Sequence, residues 1–213
     1  MFRSACKKFI CLFICLLAGG CSAVPSAAPS VLLTPLEQAQ LADPAAIDPA
    51  DLEALEVFFA RWSAYMASVG IEAQDESDVY SDLYAFSTTW QQALAADNMN
   101  GGCHVVLYLP ATPGLLEVDA MDGRIRTASV SYDSEDSGVR ANLAFTVACN
   151  AMIYSLVSAD DMTSVASIYN ECMIRLHASG AEMAGIVSLD GYTFSLALTA
   201  EDNNMNFAAM LEE

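Results

Sequence analysis

Beyond residue 8 the chain contains no lysine. That absence excludes several chemistries at once. A phosphate-binding loop of the G-x-x-x-x-G-K type needs a lysine, as do Ser-x-x-Lys acylases and enzymes that work through a Schiff base. Histidine is almost as scarce, with His104 and His177 the whole supply. The sequence also lacks H-E-x-x-H, G-x-S-x-G, C-x-x-C and N-x-S/T, so the common zinc, hydrolase, redox and glycosylation signatures are all missing. No apolar run reaches the roughly 20 residues that a membrane-spanning helix requires.

What is present is acid. Of the basic residues, Arg3, Lys7 and Lys8 sit at the very start, whereas all 27 Asp and Glu lie after Cys21. The chain beyond Cys21 keeps five arginines (Arg61, Arg124, Arg126, Arg140 and Arg175) against those 27 carboxylates, a formal charge of −22. Such a surface repels phosphate backbones and anionic lipid headgroups. Nucleic acid is therefore not an expected partner, and membrane attachment through a basic patch is not expected either.

The first 21 residues carry the most specific signal. A basic start leads into Phe9 to Ala18, an uncharged apolar run of ten residues, and then into Gly19-Gly20-Cys21. The run suits a cleavable export signal rather than a span. Leu17-Ala18-Gly19-Gly20-Cys21 resembles the lipobox of bacterial lipoproteins, although Ala18 stands where that family usually has Leu. The resemblance implies that residues 1–20 are removed as a signal peptide and that Cys21 is the lipid-attachment residue, carrying diacylglycerol and palmitate. It also implies a cell-membrane protein anchored on the extracytoplasmic face of the envelope. Two acyl chains suffice for stable anchoring.

Residues 21–46 are rich in Ala, Pro and Ser and read as the lipidated cysteine plus a tether, on which Val31-Leu32-Leu33 offers a short apolar stretch. Residues 47–213 have the length of one globular domain. Asp48 and Pro49 open a first helix whose apolar stripe is Leu52, Leu55, Phe59, Trp62, Met66 and Val69, and Gly70 closes it. A second helix is expected from about Asp78 to Ala96, giving a helical hairpin with Trp62 and Trp90 roughly level. His104–Leu109 reads as an interior strand. Leu116, Val118 and Ala120 alternate with acids, and Asp122-Gly123 marks a hairpin returning through Arg124 to Tyr132. A mostly buried helix from about Asn142 and another over 159–178 follow. A last hairpin turns at Asp190-Gly191 and ends near Thr199. The expected fold is α+β: a single two-layer domain, with a largely antiparallel sheet of about five strands and paired helices, in the order ααβββααββ. The helix-pair-plus-hairpin unit occurs twice without matching residues, so no sequence repeat is inferred.

Candidate sites are few. Cys149 and Cys172 fall on neighbouring helices about equally far from the turn between them, which allows a disulfide in an exported protein; the plainer reading is two buried thiols. Cys103-His104 is the one adjacent Cys/His pair, but neighbours on a strand point to opposite faces, so His177 would have to serve as the base. No ligand spacing supports a metal at Cys103, His104 and His177, and no cofactor is implied. Asp75-Glu76-Asp78 and Asp133-Glu135-Asp136 read as solvated loop charge, since neither fits a calcium loop. Met152, Met162, Met173 and Met183 read as core filling. The expectation is a lipid-anchored, non-enzymatic binding or interaction module with no catalytic residues, whose partner is an envelope protein or a small ligand. Two alternatives stand beside it. One is a small extracytoplasmic hydrolase using Cys103 or a serine with His104 or His177. The other is a solute-capture lipoprotein serving a transporter, for which the domain is small.

Overall fold

The sheet is wider than the sequence pattern suggests, and every described helix lies on one side of it. The computed structural model describes residues 47–70, 77–96, 102–110, 114–133, 138–157, 162–179, 185–199 and 204–212. Residues 1–46, read above as a signal, a lipid-attachment Cys21 and a tether, lie outside them, and the described residues belong to one compact unit. Among the described residues four helices, α1 (Pro49–Gly70), α2 (Ser77–Ser87), α3 (Val139–Leu156) and α4 (Met162–Ser179), accompany seven strands. These are β1 (Leu94–Ala96), β2 (Cys103–Tyr108), β3 (Gly114–Met121), β4 (Arg124–Asp133), β5 (Gly185–Leu189), β6 (Tyr192–Thr199) and β7 (Asn204–Leu211). They form one antiparallel sheet in the order β1-β2-β3-β4-β7-β6-β5. The fold is a single α+β domain, as expected, but with seven strands rather than about five.

The two additional strands have different origins. Leu94 continues the apolar stripe of α2, yet the helix stops at Ser87. There the hydroxyls of Ser87, Thr88 and Thr89 donate in turn to the carbonyls of Tyr84, Ala85 and Phe86 at 2.7–2.8 Å. Three consecutive hydroxyls thus bond the last carbonyls, two of which also accept the backbone N–H of Thr88 and Thr89 at 3.1 Å, and the helix ends there. A 3-10 turn (Trp90–Ala93) then delivers the chain into β1. β7 lies between β4 and β6, where ladders on both sides outweigh the weak strand preference of its Ala, Met and Asn residues.

Helix α1 begins as its sequence predicts, with Asp48 Oδ1 accepting the Ala50 N–H at 2.8 Å, and it ends at Gly70. Its stripe buries Leu55, Phe59, Trp62 and Met66 completely or nearly so. Trp90 stacks on Phe59 at 5.2 Å, one turn before Trp62, which meets Phe86 instead. α3 starts at Val139, earlier than expected, and buries residues nearly all round because α1, α2, α4 and β4 enclose it. Burying each large side chain of this kind contributes about 1.5–3 kcal/mol. Both expected hairpins form, with left-handed φ at Asp122 (56°), Gly123 (72°), Asp190 (52°) and Gly191 (78°). The topology also repeats: a helix pair precedes the meander β2-β3-β4 and another precedes β5-β6-β7, and their last strands meet at the centre. The Asp-Gly turns fall at different joints of the two meanders, which fits the lack of matching residues.

Candidate functional site

Strand alternation divides the sheet. Cys103, Val105, Leu107, Leu116, Val118, Val130, Phe207, Phe194 and Leu196 are buried under the helices. The residues between them point to the other face, which no described element covers. The register aligns them in rows across four strands. One row runs His104, Asp119, Thr127, Met210 and a second Val106, Glu117, Ser129, Ala208; beyond them lies Tyr108, Leu115, Ser131, Asn206. The first two rows line a shallow depression of about 370 Å³. Thr127 Oγ1 donates to Asp119 Oδ2, and Ser129 Oγ donates to Glu117 Oε2 at 3.4 Å. Tyr108 and Met210 stand at its margins, 57% and 61% exposed.

A β-bulge creates this register. The ladder shifts between Asp119 and Ala120, so Ala120 pairs with Ile125 but Asp119 with Thr127. A regular two-residue hairpin would set Asp119 opposite Arg126 and Glu117 opposite the buried Ala128. The bulged Arg126 instead turns toward Asp122, its ion-pair partner at 3.2 Å. Alternation alone marked Glu117 and Asp119 as outward-facing, but the bulge left no sequence signal, and their hydroxyl partners were not foreseen.

The row His104–Asp119–Thr127 contains the residue types of a hydrolytic triad in the wrong order. Such triads place the imidazole between hydroxyl and carboxylate. Here the carboxylate lies in the middle, so no imidazole is next to Thr127. No group of three His, Cys, Asp or Glu able to hold a metal occurs among the described residues.

The other predicted residues lie apart from this face. Cys103 is buried beneath the helices while His104, its neighbour, faces the open side. Burial, helped by the Asp51 and Asp119 charges, pushes the Cys103 thiol up to about 11, so it stays protonated at neutral pH. His177 is exposed on the last turn of α4 with Nδ1 2.8 Å from Met173 O, on the helical side of the sheet. The two histidines and Cys103 are therefore not brought together. Cys149 and Cys172 are free, fully buried thiols. Burial raises Cys149 far above its ordinary value and Cys172 to about 11, and Cys172 Sγ lies 3.9 Å from Phe194 O. Met152 is core, Met173 packs against it, and Met183 and the Met162 side chain lie outside the described residues. So do Asp75, Glu76, Glu135 and Asp136, which leaves both acidic clusters incomplete.

Arginine serves the frame. Arg61 donates to the carbonyls of Tyr154 and Val157 at the end of α3 and lies over the Tyr154 ring at 5.0 Å. Asp51, 2% exposed, accepts the Gly123 N–H at 2.8 Å and ties α1 to the β3–β4 hairpin. Among the described residues no helix is long and apolar enough to cross a membrane.

Comparison with known proteins adds no relative. No family model matches the chain, and no characterised protein or solved structure is detectably similar to it.

Proposed function

We propose that this is a lipid-anchored protein of the extracytoplasmic face of a bacterial cell membrane, and that its domain is a non-enzymatic binding module. The observation that carries the binding reading is a depression on the face of the seven-stranded sheet that no described element covers, with the Glu117 and Asp119 carboxylates within it and exposed Tyr108 and Met210 at its margins. An antiparallel sheet can leave one face in water, and large side chains exposed there are within reach of a partner. The lipobox-like segment carries the anchoring reading.

The hydrolase alternative gains no support from the geometry. It needs a thiolate or alkoxide beside an imidazole, but His104 lies across the sheet from Cys103, and His177 is exposed on α4, which packs on β5 and β6 at the other end of the strand order from β2. Solute capture would call for a deep cleft between two lobes, whereas the described depressions are open hollows of about 370–480 Å³.

Two measurements test the reading. Metabolic labelling with a fatty-acid analogue should mark the wild type and not the Cys21→Ala variant; persistent labelling of that variant would remove the anchor. Photo-crosslinkers placed at Tyr108 and Met210 in intact cells should capture one and the same envelope component, and the exposed Ile174 of α4 should not. Equal capture from all three positions would sink the open face as the binding surface.

A further inference from the structure

We infer that the occupant of the open face is an extended segment of a cationic polypeptide carrying Lys or Arg at alternate positions, set against Glu117 and Asp119. This rests on the open face being the binding surface and names what that surface selects. Glu117 and Asp119 are two residues apart on β3, so both leave the same face, about 7 Å apart along the strand. A peptide laid along β3 repeats its own side chains at that interval. Each carboxylate has one oxygen held by a hydroxyl of β4, Thr127 for Asp119 and Ser129 for Glu117. The Thr127 contact steadies Asp119, the 3.4 Å approach of Ser129 restrains Glu117 only loosely, and each carboxylate keeps a second oxygen for a charged donor.

The flanks suit the stems of such side chains. Val106 lies on the β2 side of the carboxylates and Ala208 and Met210 on the β7 side, apolar ground on which the methylenes of Lys or Arg pack while their heads reach the acids. Tyr108 adds an exposed ring at the margin. Charge decides between occupants. The chain beyond Cys21 carries −22, which draws cations from a distance. A second copy of this chain would bring acid onto acid, and a phosphate-bearing ligand would meet two carboxylates.

The test uses the purified full chain in a nonionic detergent and a fluorescent synthetic peptide with lysine at alternate positions, followed by anisotropy. Saturable binding is expected, weakened about tenfold or more by the paired change Glu117→Gln and Asp119→Asn. Both replacements keep shape and face solvent, and an unchanged thermal midpoint verifies that the fold survives. The control pair Glu56→Gln and Asp78→Asn removes the same charge from the helical side and should change affinity less than about twofold. Equal weakening by the two pairs would overturn the inference in favour of bulk charge. So would equal binding of a peptide whose lysines are adjacent. If crosslinkers at Tyr108 and Met210 capture a single component while the lysine peptide does not bind, the cationic partner is refuted and the binding face stands. If neither occurs, both fail.

Discussion

Replacing Gly185 with alanine tests the closest contact between the two layers. A Cβ at this position would lie 1.9 Å from Cys172 O, 2.8 Å from Cys172 C and 2.9 Å from Leu176 N. All three are backbone atoms of α4, so no side chain can swing aside. Ordinary carbon contacts need about 3.5 Å, so the helix must retreat by about 1.5 Å or β5 must leave the ladder. Either move loosens Cys172 and Leu176, which are 0% and 7% exposed. Overpacking of this kind costs about 1–3 kcal/mol, and retreat of a rigid helix puts the change near the upper end. The lost glycine entropy in the unfolded chain returns about 0.4–1 kcal/mol. A net loss of about 2 kcal/mol corresponds to a fall in Tm of about 4–8 °C for a domain of this size. Thermal unfolding followed by circular dichroism reads it directly. Gly138 is the control, since a Cβ there meets nothing within 4 Å. Gly138→Ala should change stability by no more than about 1 kcal/mol. A Gly185→Ala midpoint within about 1 °C of wild type would refute the close seating of α4 on β5.

Three other outcomes are expected. Alkaline pH should destabilise the fold: burial raises Cys103 and Cys172 from 9.0 to about 11 and Tyr65 and Tyr169 from 10.0 to about 12. The unfolded chain then loses protons first, so stability is whole below about pH 9 and falls as pH climbs through about 11 to 12; a flat denaturation midpoint from pH 8 to 11 would contradict the burial. Arg175→Ala should expose the Ile186 carbonyl on the free edge of β5, to which Arg175 Nη1 donates at 2.6 Å, and promote concentration-dependent association in analytical ultracentrifugation without much loss of stability. A variant as monodisperse as wild type would show the edge needs no such cover. Alkylation of the unfolded protein without reductant should label Cys103, Cys149 and Cys172; labelling of Cys103 alone among them would reveal a Cys149–Cys172 disulfide.

The parts of the fold legible in the sequence are those governed by local chemistry. The Asp48-Pro49 start and the two Asp-Gly turns each follow from one or two residues with a narrow backbone preference. The stripe of α1 follows from helical period alone. The parts that were not legible depend on partners distant in the chain. Leu94 has the right spacing for α2, but the helix closes at Ser87 through hydroxyl and 3-10 backbone bonds, and Leu94 pairs with Val105 of β2 instead. Asn204–Leu211 has little strand character of its own and is held by β4 and β6. The candidate site divides the same way. Alternation in β3 points Glu117 and Asp119 outward, but their pairing with Ser129 and Thr127 rests on a one-residue bulge.

A sheet face that no described element covers, in a chain this apolar, invites stacking and edge pairing, so the features that oppose them bear on what it can bind. Leu116, Val118 and Ala120 are all buried, and the face opposite them carries Glu117 and Asp119 together with Thr127, Ser129 and Ser131. Two such faces brought together would strip water from paired carboxylates with no cation between them, a cost that area burial at Val106, Ala208 and Met210 does not offset. The edges are guarded as well: β1 offers three residues, and Arg175 occupies the outward carbonyl of Ile186 on β5. The same two carboxylates that forbid self-stacking become favourable once a partner supplies the missing positive charge. Resistance to self-association and preference for a cationic partner thus have one physical cause, and neutralising Glu117 and Asp119 should weaken both together.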